Sequence, residues 1–113
     1  MYQKTVIVGR LGADPTLKYS DKGEPVTSFS VATSTRKDET SWFGVTVWGA
    51  SADACNQYLK KGSKVLVEGR LSFDKETGAP RVWKDKDGVW RSSFEIMASQ
   101  VVFLSSKDGA SND

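Results

Sequence analysis

Histidine is absent from the 113 residues, and cysteine occurs once, at Cys55. These shortages remove Ser-His and Cys-His nucleophilic pairs and zinc sites built from His and Cys ligands. An internal disulfide is excluded too, because one thiol has no partner. No apolar run approaches the roughly 18 residues of a membrane span. Charge of one sign is also in short supply: 16 Lys and Arg stand against 14 Asp and Glu, a net +2. Overall charge therefore does not point to a polyanion, and the distribution of the cations must carry any such argument. The opening Met1-Tyr2-Gln3-Lys4-Thr5-Val6 enters a strand-like pattern without an apolar h-region or a basic amphipathic presequence. A reducing cytoplasmic compartment is the expectation. An organelle matrix stays open, since a cleaved presequence leaves no trace.

What the chain does contain is apolar material for one core. Its 38% apolar and 11% aromatic content suits a single domain of this length. The most informative stretch is Trp42-Phe43-Gly44-Val45-Thr46-Val47-Trp48. In a strand, alternate side chains face opposite ways, so Phe43, Val45 and Val47 share one face and Trp42, Gly44, Thr46 and Trp48 the other. If the first face is core, two indoles roughly 20 Å apart are presented outward, at about 3.3 Å per residue. Exposed aromatics on a rigid sheet form a stacking platform, because every nucleobase offers a π face. The competing reading packs both tryptophans against a second sheet, a helix or another subunit.

Around this stretch the pattern is all-β. Thr5 to Leu11 reads as a first strand, ended by the turn chemistry of Gly12-Ala13-Asp14-Pro15, with Thr16 to Tyr19 as a short continuation. Val26 to Ser34 alternates as a second strand, with Thr27, Phe29, Val31 and Thr33 on one face. Arg36-Lys37-Asp38-Glu39 forms a polar loop into the tryptophan strand. Ser51 to Leu59 is the one helix, with Ser51 as cap, Ala52, Cys55 and Leu59 as its apolar stripe, and Lys60-Lys61-Gly62 at its end. Cys55 on that stripe reads as a small buried hydrophobe. Ser63 to Phe73 returns to strand, and Gly69 within it suggests a bulge or sharp bend. Asp74 to Gly88 is a turn-rich arm. A last strand runs from about Val89 to Leu104, with a break near Ala98-Ser99. The core set is Phe29, Val31, Val45, Val47, Val65, Val67 and Leu71. The sum is a small antiparallel barrel or sandwich of five main strands with one helix between the third and fourth.

Four ordered strings carry a family resemblance: Val6-Ile7-Val8-Gly9-Arg10-Leu11-Gly12-Ala13-Asp14-Pro15; Val26 to Ser34; Thr40-Ser41-Trp42-Phe43; and Tyr58-Leu59-Lys60-Lys61-Gly62-Ser63-Lys64-Val65-Leu66-Val67-Glu68-Gly69-Arg70-Leu71. Together they resemble the bacterial and organellar single-stranded DNA-binding proteins over residues 4–106. The resemblance implies a five-stranded OB-fold Greek-key barrel over residues 1–106, with a protruding β-hairpin arm and a short tail at 107–113. It also implies a homo-oligomer, usually a tetramer, that binds single-stranded DNA non-catalytically and with little regard to sequence, in the cytoplasm with the nucleoid. No cofactor and no metal are implied. Stacking aromatics at the two ends of the family's third strand fall here on Trp42 and Trp48, and the arm aromatic falls on Trp83. The acidic, phenylalanine-ended tip that recruits other enzymes in many relatives is not found in this sequence, so that recruitment is not carried over.

Base stacking is therefore assigned to Trp42, Trp48, Trp83, Phe73 and Trp90, and phosphate contact to Arg10, Lys18, Arg36, Lys37, Arg70, Lys84 and Arg91. The arm interleaves cations and rings as a single-strand track requires, but Asp74, Glu76, Asp85 and Asp87 dilute it, and a solvated or subunit-packing hairpin is the alternative. Lys60 and Lys61 are explained by their helix-end position alone. The first strand is apolar on both sides, Val6 and Val8 against Ile7 and Leu11. That pattern fits a subunit interface at Lys4, Val6 and Val8, or a central strand within one subunit. A protein-binding module of the same fold is the second functional class. An enzyme is the third, weakened because Glu68 and Glu95 read as isolated carboxylates.

Overall fold

The computed structural model describes residues 2–104; the 107–113 tail lies outside the described residues. Eight strands and one helix follow in the order β1 (Thr5–Leu11), β2 (Thr16–Tyr19), β3 (Pro25–Arg36), β4 (Glu39–Trp48), α1 (Ala50–Tyr58), β5 (Lys64–Leu71), β6 (Val82–Lys84), β7 (Trp90–Ser92) and β8 (Phe94–Phe103). The main sheet runs β1-β5-β8-β4-β3-β2, and a further β1–β3 pairing closes β1, β5, β8, β4 and β3 into a barrel. Closure rests on two rungs, Arg10 to Ala32 and Leu11 to Val31. Only β4 and β8 run parallel, from Phe43 opposite Phe94 to Thr46 opposite Met97. The architecture is that of an OB-fold, with the helix between β4 and β5.

Period-two alternation fills the barrel. Ile7 and Leu11, Phe29 and Val31, Val45 and Val47, Val65 and Val67, and Ile96 point inward and are buried. The helix lays Ala52, Cys55 and Leu59 onto this core. Thr27 is fully buried, and its hydroxyl donates to the Ala52 carbonyl at 2.7 Å, tying helix to strand without an unsatisfied group. Burial pushes the Cys55 thiol up to about 11, as a small hydrophobe inside a core requires.

Four local expectations need correction. The helix starts one residue early, at Ala50, and its N-cap is Gly49 with no side-chain cap bond. Gly49 takes φ 76, a left-handed turn that brings its carbonyl to the Ala52 and Asp53 amides, so Ser51 already sits inside the first turn. Leu71 is 38% exposed, because it occupies the last rung of the β5–β8 ladder, opposite Ile96, where the barrel runs out. The final strand divides at Ser93 into β7 and β8. What falls at Ser99 is a bulge, the ladder stepping from Glu68–Gln100 to Gly69–Ala98. Arg36 is the last residue of β3, paired with Glu39, so Lys37 and Asp38 alone make the turn, Asp38 at φ 68.

Candidate nucleic-acid interface

β4 keeps the two faces that its alternation implies: Val45 and Val47 are buried, while Trp42 and Trp48 are 52% and 44% exposed on the outer wall. Cross-strand registry then sets what lies beside each indole. Trp42 stands opposite Ala32, which stands opposite Arg10. Trp48 stands opposite Val26, which stands opposite Lys18. Between them, Arg70, Met97, Thr46, Ser28 and Thr16 form a continuous row across β5, β8, β4, β3 and β2. Arg10, Lys18 and Arg70 are thus brought onto the wall that carries both tryptophans.

The wall is not flat. A trough of about 540 Å³ runs over Gly44, with Trp42, Ser28, Ser30, Thr46, Asp14 and Glu95 among its lining residues. A second hollow of about 550 Å³ lies between Trp48 and the turn 20–24. Trp42 leans on the turn after β1. A Cβ added at Gly12 would fall 2.4 Å from its ring carbon Cζ3, so only glycine leaves the indole that seat. Gly44 is different, because a Cβ there would make only ordinary contact with Glu95, at 3.7 Å from its Cγ. Its bareness is not demanded by packing, and it deepens the trough at its midpoint.

The other candidates lie on and before the arm and at the β3–β4 turn. β6 and β7 pair through Val82–Ser92, Trp83–Arg91 and Lys84–Trp90. Trp83 and Trp90 are exposed, with the Arg81 guanidinium 6.0 Å from the Trp83 ring centre and the Lys84 ammonium 5.5 Å from that of Trp90. Phe73 lies between β5 and the arm, outside any strand, and is exposed. Arg36 and Lys37 sit exposed at the tip of the β3–β4 hairpin. Arg10 is partly engaged already, donating to the Gly62 carbonyl at 2.9 Å.

Arg91 donates from Nε to Asp85 Oδ2 at 2.6 Å, while Asp85 Oδ1 accepts from the Asp87 and Val89 amides. This bond to Arg91, ahead of the backbone bond from Val89, holds the Asp85 carboxyl below its ordinary 3.8. Because the folded value is depressed, the carboxylate's support of the turn is present above 3.8 and is lost as pH falls below it. NMR of the Asp85 carboxyl carbon should titrate below 3.8 in the native chain and move back toward 3.8 in R91Q; an unchanged titration in R91Q would remove Arg91 as the cause.

On another stretch of the outer wall, Val6 and Val8 are 52% and 45% exposed, in register with Glu68 and Leu66 of β5 and, through them, Gln100 and Val102 of β8. Lys4 pairs with Glu68, and that hydrogen bond raises the lysine above its ordinary value. Neither carboxylate read as isolated is so: Glu68 holds Lys4 and Glu95 holds Arg81. The Arg81–Glu95 contact escaped the sequence reading because it spans an irregular segment with no periodic signal. Among the described residues, no group of three or more His, Cys, Asp or Glu is placed to hold a metal ion, and no helix is long and apolar enough to cross a membrane.

A closed β-barrel with one helix between β4 and β5 defines an OB-fold domain, here with two exposed indoles on one wall. The chain belongs to the single-strand binding protein family, whose sequence model matches residues 2–104. It is 36% identical over 113 residues to a single-stranded DNA-binding protein of Neisseria meningitidis serogroup A, covering 93% of this chain and 61% of that protein. It is 37% identical over 119 residues to one from Wolinella succinogenes, covering 98% and 68%. With one from Xanthomonas campestris it shares 39% identity over 109 residues, covering 89% and 59%. The chain thus spans about three fifths of the length of several of the curated relatives it matches.

Proposed function

We propose that this domain binds single-stranded DNA with little dependence on sequence, shielding it during replication, recombination and repair. The observation that carries the reading is the outer wall of β4, where Trp42 borders one trough and Trp48 a second hollow, with Arg10, Lys18 and Arg70 on rungs of the same wall. Indoles accept any base by stacking, and the cations supply phosphate contact that follows the backbone rather than the letters. Trp83, Trp90, Phe73, Lys84 and Arg91 extend the track along the arm, and Arg36 and Lys37 extend it from the β3–β4 tip. Within a bacterium its place is the cytoplasmic nucleoid.

The functional unit is a homo-oligomer, a tetramer in this reading, joined through the β1 face. Val6 and Val8 lie exposed beside Leu66 and Val102, an apolar patch that water does not favour and a second copy would cover, with Lys4 and Glu68 at its rim. Titration with oligothymidine should quench tryptophan fluorescence, and the affinity should fall steeply as salt rises. An unchanged spectrum with excess oligonucleotide at low salt rejects DNA binding. Native mass spectrometry showing only monomers rejects the assembly.

A further inference from the structure

Two carboxylates line the trough, Asp14 and Glu95, and both have the wrong sign for a DNA track. Glu95 stands directly opposite Gly44 on β8, between the levels of Trp42 and Trp48, and its side chain lies along the trough. A carboxylate there repels the phosphates that Arg10, Lys18 and Arg70 attract. It is neutralised locally. Arg81 Nη2 reaches both carboxylate oxygens, at 3.0 Å to Oε2 and 3.3 Å to Oε1, and Ser93 Oγ donates to Oε2 at 3.0 Å. Arg81 comes from the irregular segment entering the arm, so one ion pair links the arm to the trough wall. Both partners keep contact with water, the arginine side chain being 64% exposed, so the pair is weak and exchangeable.

A carboxylate and a phosphodiester both offer paired acceptor oxygens to a guanidinium, and the singly charged, planar fork of the arginine donates to either. We propose that Glu95 is an internal stand-in for a DNA phosphate: it holds Arg81 at the edge of the trough until a strand enters over Gly44, and a backbone phosphate then takes the guanidinium from it. This rests on the binding reading above and adds to it a phosphate-contact residue, Arg81, and a positioning residue, Glu95. The same step frees the arm from the barrel wall. Trp83, whose ring centre lies 6.0 Å from the Arg81 guanidinium, then moves with its cation onto the strand. The carboxylate keeps the guanidinium oriented in the free protein, at the cost of competing with DNA for it.

The test is oligothymidine binding measured across a salt series for the full chain and for E95Q, R81Q and R81K, with circular dichroism confirming the barrel in each. Removing the competitor in E95Q should tighten binding about two- to fivefold at low salt, the worth of an exposed ion pair. R81Q should weaken binding and make the slope of log K against log salt shallower by about 0.7, the loss of one phosphate contact on a single strand. R81K, which keeps the charge, should keep the wild-type slope. If Glu95 only props up the arm, E95Q binds no better or more weakly, and that result overturns the proposal. An unchanged slope in R81Q, or a slope in R81K as shallow as in R81Q, overturns it too. Wild-type chain that fails to bind at all rejects DNA binding itself, whereas wild-type binding with these variant results rejects only the Arg81–Glu95 exchange.

Discussion

Replacing Trp42 and Trp48 together by alanine is expected to weaken oligothymidine binding by at least roughly thirtyfold, since each stacked base is worth about 1 to 3 kcal/mol. The loss should be the same for every sequence, because an indole accepts the π face of a base and not its edge. Fold and assembly should survive. Both rings are about half exposed, and the core beneath them is made by Val45 and Val47, which are not touched. Anisotropy of a dye-labelled oligonucleotide is the suitable readout, since it does not depend on the removed fluorophores. Unchanged affinity in the double variant would mean that the wall is not the DNA track, and loss of the oligomer would reassign the indoles to a subunit interface.

The second large effect is on stability. Gly9→Ala and Gly69→Ala should each lower the unfolding free energy by about 3 kcal/mol or more, at the upper end of what overpacking costs, and the urea midpoint should fall with it. A Cβ on Gly9 would lie 2.1 Å from the Ala32 carbonyl oxygen and 2.8 Å from Val31 Cγ1. On Gly69 it would lie 2.2 Å from the Met97 oxygen and 2.9 Å from the Ala98 Cα. The obstacles are chiefly backbone, so no side-chain rotation relieves them. Gly9 lies next to the two rungs that close the barrel, and Gly69 faces the bulge at Ser99, so each clash opens a joint on which the closed sheet depends. A domain of this kind has about 5 to 15 kcal/mol to lose. Gly44→Ala is the control, because its added carbon makes only ordinary contacts, 3.7 Å from Glu95 Cγ and 3.9 Å from the Phe94 carbonyl oxygen, and should leave stability unchanged or slightly raised. Equal midpoints for Gly9→Ala and the native chain would contradict the close approach.

How much of this was legible in the sequence follows from the range of the forces involved. Alternation is local, so residues 42–48 announced their two faces, as did Thr27, Phe29 and Val31: the structure buries Thr27, Phe29, Val31, Val45 and Val47 and packs a partly buried Phe43 against them. The helix stripe of Ala52, Cys55 and Leu59 was equally plain. Leu71 was misplaced because alternation does not say where a barrel ends; its neighbours across the ladder decide that. Ser51 looked like a cap because caps are recognised by residue type, whereas Gly49 set the helix start through its backbone angle. Gly69 signalled a bend without telling which strand would carry the extra residue, and the answer, Ser99 on β8, lies in registry. For the candidate site, residue type identified rings and cations, but not that Arg81 is held by Glu95 or Arg91 by Asp85. Those pairs depend on how an irregular arm folds back, which no period encodes.

The ladder of β1 has a consequence for how the chain is made. Its partners along most of its length are residues 64–69, and its only nearer pairing is the two-rung closure with β3. During synthesis the first strand therefore leaves the ribosome without most of its ladder, while β2, β3 and β4 zip up as a meander behind it. Until β5 emerges, Val6, Ile7 and Val8 form an apolar segment without its main ladder. Because β8 lies between β5 and β4 in the sheet, the order of emergence makes closure of the barrel a late event that waits for the last strand.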